Sequence, residues 1–270
     1  MSGHNNMTME ERVAKSHEVI AEAYKRFPVE DMRVAFTGGK DSTLLAWLVY
    51  TYAQKEGLPM PKCLFINEGS IFDEIHEFKD WLAEEWGLTI DEVHNSNVSQ
   101  AAGGVIGAPV RVADLDERNQ MEVARLGYKE ETFPYEPESY VGNHLMKTVA
   151  MNRYLEAENV KAVFVGIRHD EQSARANETY FSARQGPDHT RVHPILHYKE
   201  ADVWTTIHGN DVPYVKLYEQ GYRSLGAKVT TTKTTDVPAW EQDLENTIER
   251  QGRRQDKEGI MERLRALGYM

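Results

Sequence analysis

The residues best suited to chemistry lie between two apolar runs. Thr37-Gly38-Gly39-Lys40-Asp41-Ser42-Thr43 separates Val34-Ala35-Phe36 from Leu44-Leu45-Ala46-Trp47-Leu48. A strand, a small polar turn and a helix start together shape a backbone that holds phosphate. Glycine lets N–H groups approach an anion, and the first turn of a helix offers unpaired N–H groups at the positive end of its dipole. Thr37, Ser42 and Thr43 add hydroxyl donors, and Lys40 adds a mobile charge outside the core. The nucleotide loop G-x-x-x-x-G-K-[ST] is excluded, because the position five before Gly39 is Val34. An ordinary capped helix start is the plainer account, and the paired glycines, lysine and hydroxyls make it the weaker one.

A second stretch, Gly166-Ile167-Arg168-His169-Asp170-Glu171-Gln172-Ser173-Ala174-Arg175-Ala176, follows the apolar run 161–166. In a parallel sheet it shares a carboxyl edge with the first turn, and ligands bind at that edge. Arg168 and Arg175 are spaced as two prongs for one polyphosphate, with Asp170 and Glu171 available to hold a metal or orient an arginine. A third stretch sets Arg250, Arg253 and Arg254 around Gly252, where either an anion or the nearby Glu249, Asp256 and Glu258 neutralises them. His169, His189, His193 and His197 are close in sequence, but Pro194 denies the last two a common helix face, so they read as scattered in role. Cys63, within the apolar run Lys62-Cys63-Leu64-Phe65-Ile66, reads as a core residue.

The elements that must position these residues alternate. Residues 9–27 read as an amphipathic helix, 32–36 as a strand, 44–55 as a helix, 62–67 as a strand, 71–87 as a helix and 89–95 as a strand. A helix at 141–157, strands at 161–166 and 191–196 and a helix at 199–210 complete the set. Strand–helix alternation predicts an α/β fold, a sheet of about five mostly parallel strands between helical layers. Residues 1–210 read as the nucleotide-binding domain and 211–270 as a C-terminal extension over its site; 96–140 interrupts the pattern as an insertion or lid.

Composition narrows the class. The chain has 270 residues, 40% of them hydrophobic, and a formal net charge of −12. That balance argues against a nonspecific nucleic-acid binder, though not against a local basic pocket. One cysteine allows no internal disulfide and no cysteine-ligated metal or cluster. With no apolar run long enough to span a bilayer and no signal-like leader, the chain reads as cytoplasmic, without a membrane partner.

The turn at 37–42 resembles the S-G-G-K-D-S signature of the PP-loop ATP pyrophosphatases, with threonine in place of the first serine. Residues 166–176 resemble the G-x-R-x-D-E-x-x-x-R-A stretch shared by the phosphoadenosine phosphosulfate reductase group and the small subunit of ATP sulfurylase. Residues 144–151 and 191–204 match that group in place and order, and 250–270 is similar to the small subunit's own tail. The resemblance implies cleavage of ATP between its α- and β-phosphates, with Mg²⁺, and adenylyl transfer to a small oxyanion, sulfate for preference. It implies that Thr37, Gly38, Gly39, Lys40, Asp41, Ser42 and Thr43 hold phosphates. Gly166, Arg168, Asp170 and Arg175 stand by the leaving pyrophosphate, and Arg253 and Arg254 close over nucleotide or sulfate. A GTPase large subunit or a second copy of the chain is the implied partner. A relative of the FAD synthetases acting on flavin mononucleotide, or a non-catalytic nucleotide binder, is the alternative.

Two departures matter. The reductases attack with a cysteine near the C-terminus, and no cysteine follows Cys63 here; Ala227 and Thr230 stand where some relatives carry further cysteines. The family's D-T-G after the second strand reads Asn67-Glu68-Gly69, which removes a charge near the expected adenosine.

Overall fold

The structure, a computed structural model, describes residues 7–171, 175–250 and 252. Helix α1 (Met9–Arg26) opens on a capping box, in which the Thr8 hydroxyl accepts from the Glu11 N–H at 3.2 Å and the Glu11 carboxylate accepts from the Thr8 N–H at 2.7 Å. There follow β1 (Met32–Ala35), α2 (Lys40–Glu56), β2 (Lys62–Ile66), α3 (Asp73–Trp86), β3 (Ile90–Val93), α4 (Ser96–Ala101), β4 (Pro109–Arg111), α5 (Glu117–Arg125) and β5 (Thr132–Pro134). Next come α6 (Tyr140–Asn143), a π-helical stretch (His144–Val149), α7 (Ala150–Ala157), β6 (Ala162–Phe164), β7 (Phe181–Arg184), β8 (His189–Val192) and α8 (Glu200–Gly209).

The main sheet has the order β3-β2-β1-β6-β8-β7. Its first five strands are parallel, as the alternation predicts, and β7 pairs antiparallel with β8 at the edge. The sixth strand escapes a sequence reading because Phe181-Ser182-Ala183-Arg184 has only four residues and no buried run. Alternation along β1 sorts the two faces. Met32 and Val34 join the core beneath α1, α2, α3 and α8, while the Arg33 guanidinium on the opposite face donates to Tyr154 Oη of α7 at 2.6 Å.

Residues 96–140 are folded. Val98, Val110, Leu115 and Phe133 build a separate small core with Leu145 and Val149, and β4 and β5 form a two-stranded sheet within it. Alternation was too short there to read, since each strand has three residues. This unit packs against the π-helical stretch that leads into α7, so it is tied to one wall of the main domain.

After β1 the chain crosses to β2 on one side, while β6 lies on the other. The carboxyl ends of β1 and β6 therefore flank the switch point where open α/β sheets bind ligands. Two glycines let the chain pack tightly there. Gly38 adopts φ +73°, and a Cβ on it would fall 2.7 Å from Ile75 Cγ2. A Cβ on Gly166 would fall 2.9 Å from the Asp41 carbonyl oxygen, so the end of β6 meets the start of α2 backbone to backbone.

Cys63 is fully buried in β2, and burial pushes its thiol up to about 12. We expect no reaction of the native protein with a thiol reagent such as Ellman's reagent and full reaction after denaturation. Cys63→Ala is expected to cost about 1 kcal/mol of stability. Fast labelling of the native chain would contradict this placement.

Candidate functional site

Helix α2 starts without a side-chain cap. Its N-cap is Gly39, and the Lys40 N–H is taken up by Tyr218 Oη at 2.8 Å, a group remote in sequence. The turn is braced by its own hydroxyls. Ser42 Oγ accepts from the Thr37 N–H at 3.1 Å, lies 3.0 Å from Thr37 Oγ1 and donates to the Gly39 carbonyl at 3.0 Å. Thr43 faces the core instead, and its hydroxyl has no hydrogen-bond partner among the described residues.

The Lys40 side chain corrects the expectation of a mobile charge. It is 1% exposed, because the chain after α8 folds down over it. Its Nζ lies 2.5 Å from Glu249 Oε1, 3.5 Å from Asp41 Oδ2 and 3.6 Å from Glu200 Oε1, and donates to the Arg223 carbonyl at 3.3 Å. Arg168 is fully buried beside it. Its guanidinium donates to Asp41 Oδ1, to Asp170 Oδ1 at 2.9 Å and to Glu249 Oε2 at 2.6 Å. One carboxylate, Glu249, thus bridges the two most deeply buried cations of the cluster. Burial alone would lower the proton affinity of Lys40 and Arg168, but the surrounding carboxylates outweigh it and raise both above their ordinary values. Burial would raise Glu249, and Lys40 and Arg168 hold it well below the usual carboxylate range instead.

Glu249, one of the carboxylates weighed beside an anion as neutralising the tail arginines, pairs with Lys40 and Arg168 instead, and Arg250 pairs with Glu171 at 2.5 Å. Asp170 orients Arg168 with one oxygen and accepts the Glu200 N–H at the start of α8 with the other, at 2.9 Å. Glu171 pairs with Arg175 as well as with Arg250, and burial lowers the Arg175 proton affinity. Arg223 clamps Glu200 at 2.8 Å and donates to the carbonyls of Asp243, Leu244 and Thr247, which fixes the segment that carries Glu249.

A cavity of about 340 Å³ opens on this cluster at the switch point. Thr37, Gly39, Lys40, Asp41, Ser42, Gly166 and Arg175 line it, together with Glu249 and Arg250. Phe65, Ile66, Ile71, Ile75 and Ile167 give it an apolar wall, and Lys147, from the π-helical stretch, pairs with Glu68 at its rim. Gly38 sits behind the turn against Ile75. Asn67 closes a turn by accepting the Gly69 N–H at 2.9 Å and donates to Glu92 at 2.8 Å; Glu68 between them faces the cavity. Arg253 and Arg254 lie outside the described residues. The histidines disperse: His169, His189, His193 and His197 each meet a different backbone carbonyl, and burial lowers His193 to about 4.

Sequence reasoning gave Glu249 other partners and missed Glu200, Arg223, Tyr218 and Lys147, because nothing local marks a residue that reaches the site from far along the chain. Removing Lys40 leaves Glu249, Asp41 and Glu200 crowded together without the buried cation they share. Lys40→Ala is therefore expected to cost about 3–5 kcal/mol in urea unfolding, and Lys40→Ala with Glu249→Ala to cost clearly less than the sum of the two single changes. An additive double variant would contradict the pairing.

Comparison with known proteins agrees with the geometry. Residues 31–233 match the family described as the phosphoadenosine phosphosulfate reductase domain. The phosphoadenosine 5'-phosphosulfate reductase of Xanthomonas campestris pv. campestris is 28% identical over 219 residues, 81% of this chain and 78% of that one. Sulfate adenylyltransferase subunit 2 of Agrobacterium fabrum is 26% identical over 204 residues, 67% of this chain and 55% of that one. FMN adenylyltransferase from Candida glabrata shares the fold, with a TM-score of 0.64 at 17% identity over 92% of this chain and 88% of that one. Its complex with ATP gives 0.58 at 19% identity, with 83% of this chain and 63% of that one covered. With its PP-loop turn at the switch point of a mostly parallel sheet, this chain belongs to the phosphoadenosine phosphosulfate reductase domain family.

Proposed function

We propose that the chain is an adenylyltransferase: ATP and a small oxyanion, sulfate for preference, give the adenylylated oxyanion and pyrophosphate. The observation that carries this reading is Lys40, which lines the switch-point cavity at the start of α2, with Arg168 buried behind it on the Asp41 and Glu249 carboxylates. In such a reaction an acceptor oxygen bonds to the α-phosphorus while the bond from that phosphorus to the bridging oxygen breaks, and pyrophosphate leaves with the electron pair. The transfer asks for charge neutralisation on the leaving group and in-line placement more than for acid–base groups. Lys40 and Arg168 answer the first need. The apolar wall of Ile66, Ile71, Ile75 and Ile167 suits a planar base and answers the second.

Thiol chemistry is disfavoured because Cys63, the one cysteine of the sequence, is buried in β2 with its proton held firmly. Sulfate is favoured over a flavin because about 340 Å³ is near the lower end for small-molecule sites. Lys147 adds a further cation at the cavity rim for an oxyanion. The carboxylates fit a magnesium ion that arrives with the nucleotide, since Mg²⁺ takes one or two carboxylates plus substrate phosphates and Asp41 and Glu171 line the cavity. When bound, that ion would offset charge on the phosphates. One curated relative is named as a subunit 2, so a second subunit that drives the unfavourable synthesis of adenylyl sulfate belongs to the proposal.

Pyrophosphate release from ATP and Mg²⁺ tests the reading. Sulfate, or molybdate, whose adenylyl ester hydrolyses and draws the reaction forward, is expected to stimulate release, and flavin mononucleotide is not. Release with flavin mononucleotide alone would transfer the assignment to flavin adenylylation. ATP binding without release under any acceptor would make the chain a non-catalytic nucleotide binder.

A further inference from the structure

Among the described residues, the ion pairs around Lys40 form a closed set. Lys40, Arg168 and Arg223 face Asp41, Asp170, Glu200 and Glu249, three cations against four carboxylates. The neighbouring set of Arg175 and Arg250 around Glu171 carries the opposite excess, two against one, so the two sets together are neutral. A polyphosphate arriving beside Lys40 and Arg168 therefore meets groups whose charge is already spent, and the nearest negative charge must give way.

The fold shows which one moves most easily. Asp41 lies in the first turn of α2, Asp170 caps α8, and Glu200 lies in the first turn of α8 under the Arg223 clamp. Asp170 is also on a loop but is fastened through both oxygens, whereas the Glu249 carboxylate, on an irregular segment after the helical turn at Ala239–Glu241, meets Lys40 and Arg168 and no backbone N–H among the described residues. Glu249 also stands between two cavities. One side faces the switch-point cavity, and the other faces a second cavity of about 280 Å³, whose lining includes Arg223, Ser224, Thr234 and Thr235 together with the acidic Glu241 and Asp243. Arg223 is spent on Glu200 and on backbone carbonyls, but the hydroxyls of Ser224, Thr234 and Thr235 can donate to a carboxylate that turns away from Lys40.

We propose that Glu249 is a tethered stand-in for the pyrophosphate half of the nucleotide: it occupies the Lys40–Arg168 position in the free protein, swings toward the threonine-lined cavity when a pyrophosphate group enters, and so selects ligands that carry one. The proposal deepens the adenylyl-transfer reading and rests on it. A ligand with a single α-phosphate does not reach Lys40 and leaves Glu249 in place. A ligand with a pyrophosphate group binds only to the fraction of molecules in which the carboxylate has left, so its apparent affinity is reduced by that fraction. Release of product pyrophosphate and return of Glu249 are then one event.

The test compares the parent chain with Glu249→Gln, which keeps shape and removes charge, by calorimetric titration with pyrophosphate, ATP and AMP in the presence of Mg²⁺. Pyrophosphate and ATP are expected to bind the variant about tenfold or more tightly, and AMP equally to both. Hydrogen exchange on the unsubstituted chain gives a second reading that needs no variant: pyrophosphate is expected to speed exchange of the backbone over 244–250. Equal or weaker pyrophosphate binding by Glu249→Gln, or slower exchange over 244–250, overturns the stand-in role while leaving adenylyl transfer intact. Failure of both proteins to bind ATP or pyrophosphate overturns the adenylyl-transfer reading itself, and the stand-in role with it. Tighter binding of AMP in step with ATP would show a general loss of negative charge and would overturn the selection of pyrophosphate.

Discussion

Two cations that water barely reaches govern this molecule. Lys40 and Arg168 are 1% and 0% exposed, and charge buried to that depth survives only where opposite charge lies within a few ångströms. The bridging carboxylate of Glu249, at 2.5 Å from one and 2.6 Å from the other, meets that requirement from a part of the chain more than 200 residues beyond Lys40 in the sequence. Much of the architecture follows from keeping these three groups together. Asp170 aims the guanidinium, Tyr218 takes the first free N–H of α2, and Arg223 gathers three carbonyls of the segment that delivers the carboxylate.

The sheet supplies the frame. Because β1 and β6 are neighbours whose following loops diverge, the turn at 37–39 and the loop at 166–171 face one another across a gap. Gly166 lets that gap close to backbone contact with Asp41, which is why the Arg168 guanidinium can reach the Asp41 carboxylate at all. A side chain at residue 166 would push the end of β6 away from α2 and spoil the shared neutralisation. The same closeness buries Lys40 and Arg168, and burial strengthens the charge interactions between them and their carboxylates.

The parallel strands, the helices between them and the phosphate-type turn were legible because each is a local pattern: a buried run, a 3.6-residue period, a pair of glycines before a lysine. The edge strand Phe181–Arg184 and the short strands of the 96–140 unit were not, since three or four residues carry too little alternation to be told from loop. Within the site, Lys40, Arg168 and Asp170 could be named from their motifs, but their state could not. Lys40 looks like a free charge in sequence and is a buried one in the fold, because the covering residues come from 218–250. Glu249, flanked by Ile248 and Arg250, looks like one acid on a charged surface, and only tertiary structure shows that it turns inward. Lys147 was passed over for a similar reason: it lies on a helix, and the π-helical stretch that carries it toward the cavity has no sequence signature.

The central claim is that the Lys40–Arg168 pair is a polyphosphate position that Glu249 fills until the nucleotide arrives. A crystal structure of the chain with Mg²⁺ and an ATP analogue that cannot be cleaved between the α- and β-phosphates tests it most directly. The account predicts β- and γ-phosphate oxygens within hydrogen-bond distance of Lys40 Nζ and Arg168, the base against Ile71 and Ile75, and the Glu249 carboxylate turned toward Thr234 and Thr235. A nucleotide bound elsewhere, or phosphates seated in the cavity with Glu249 still between Lys40 and Arg168, would contradict it.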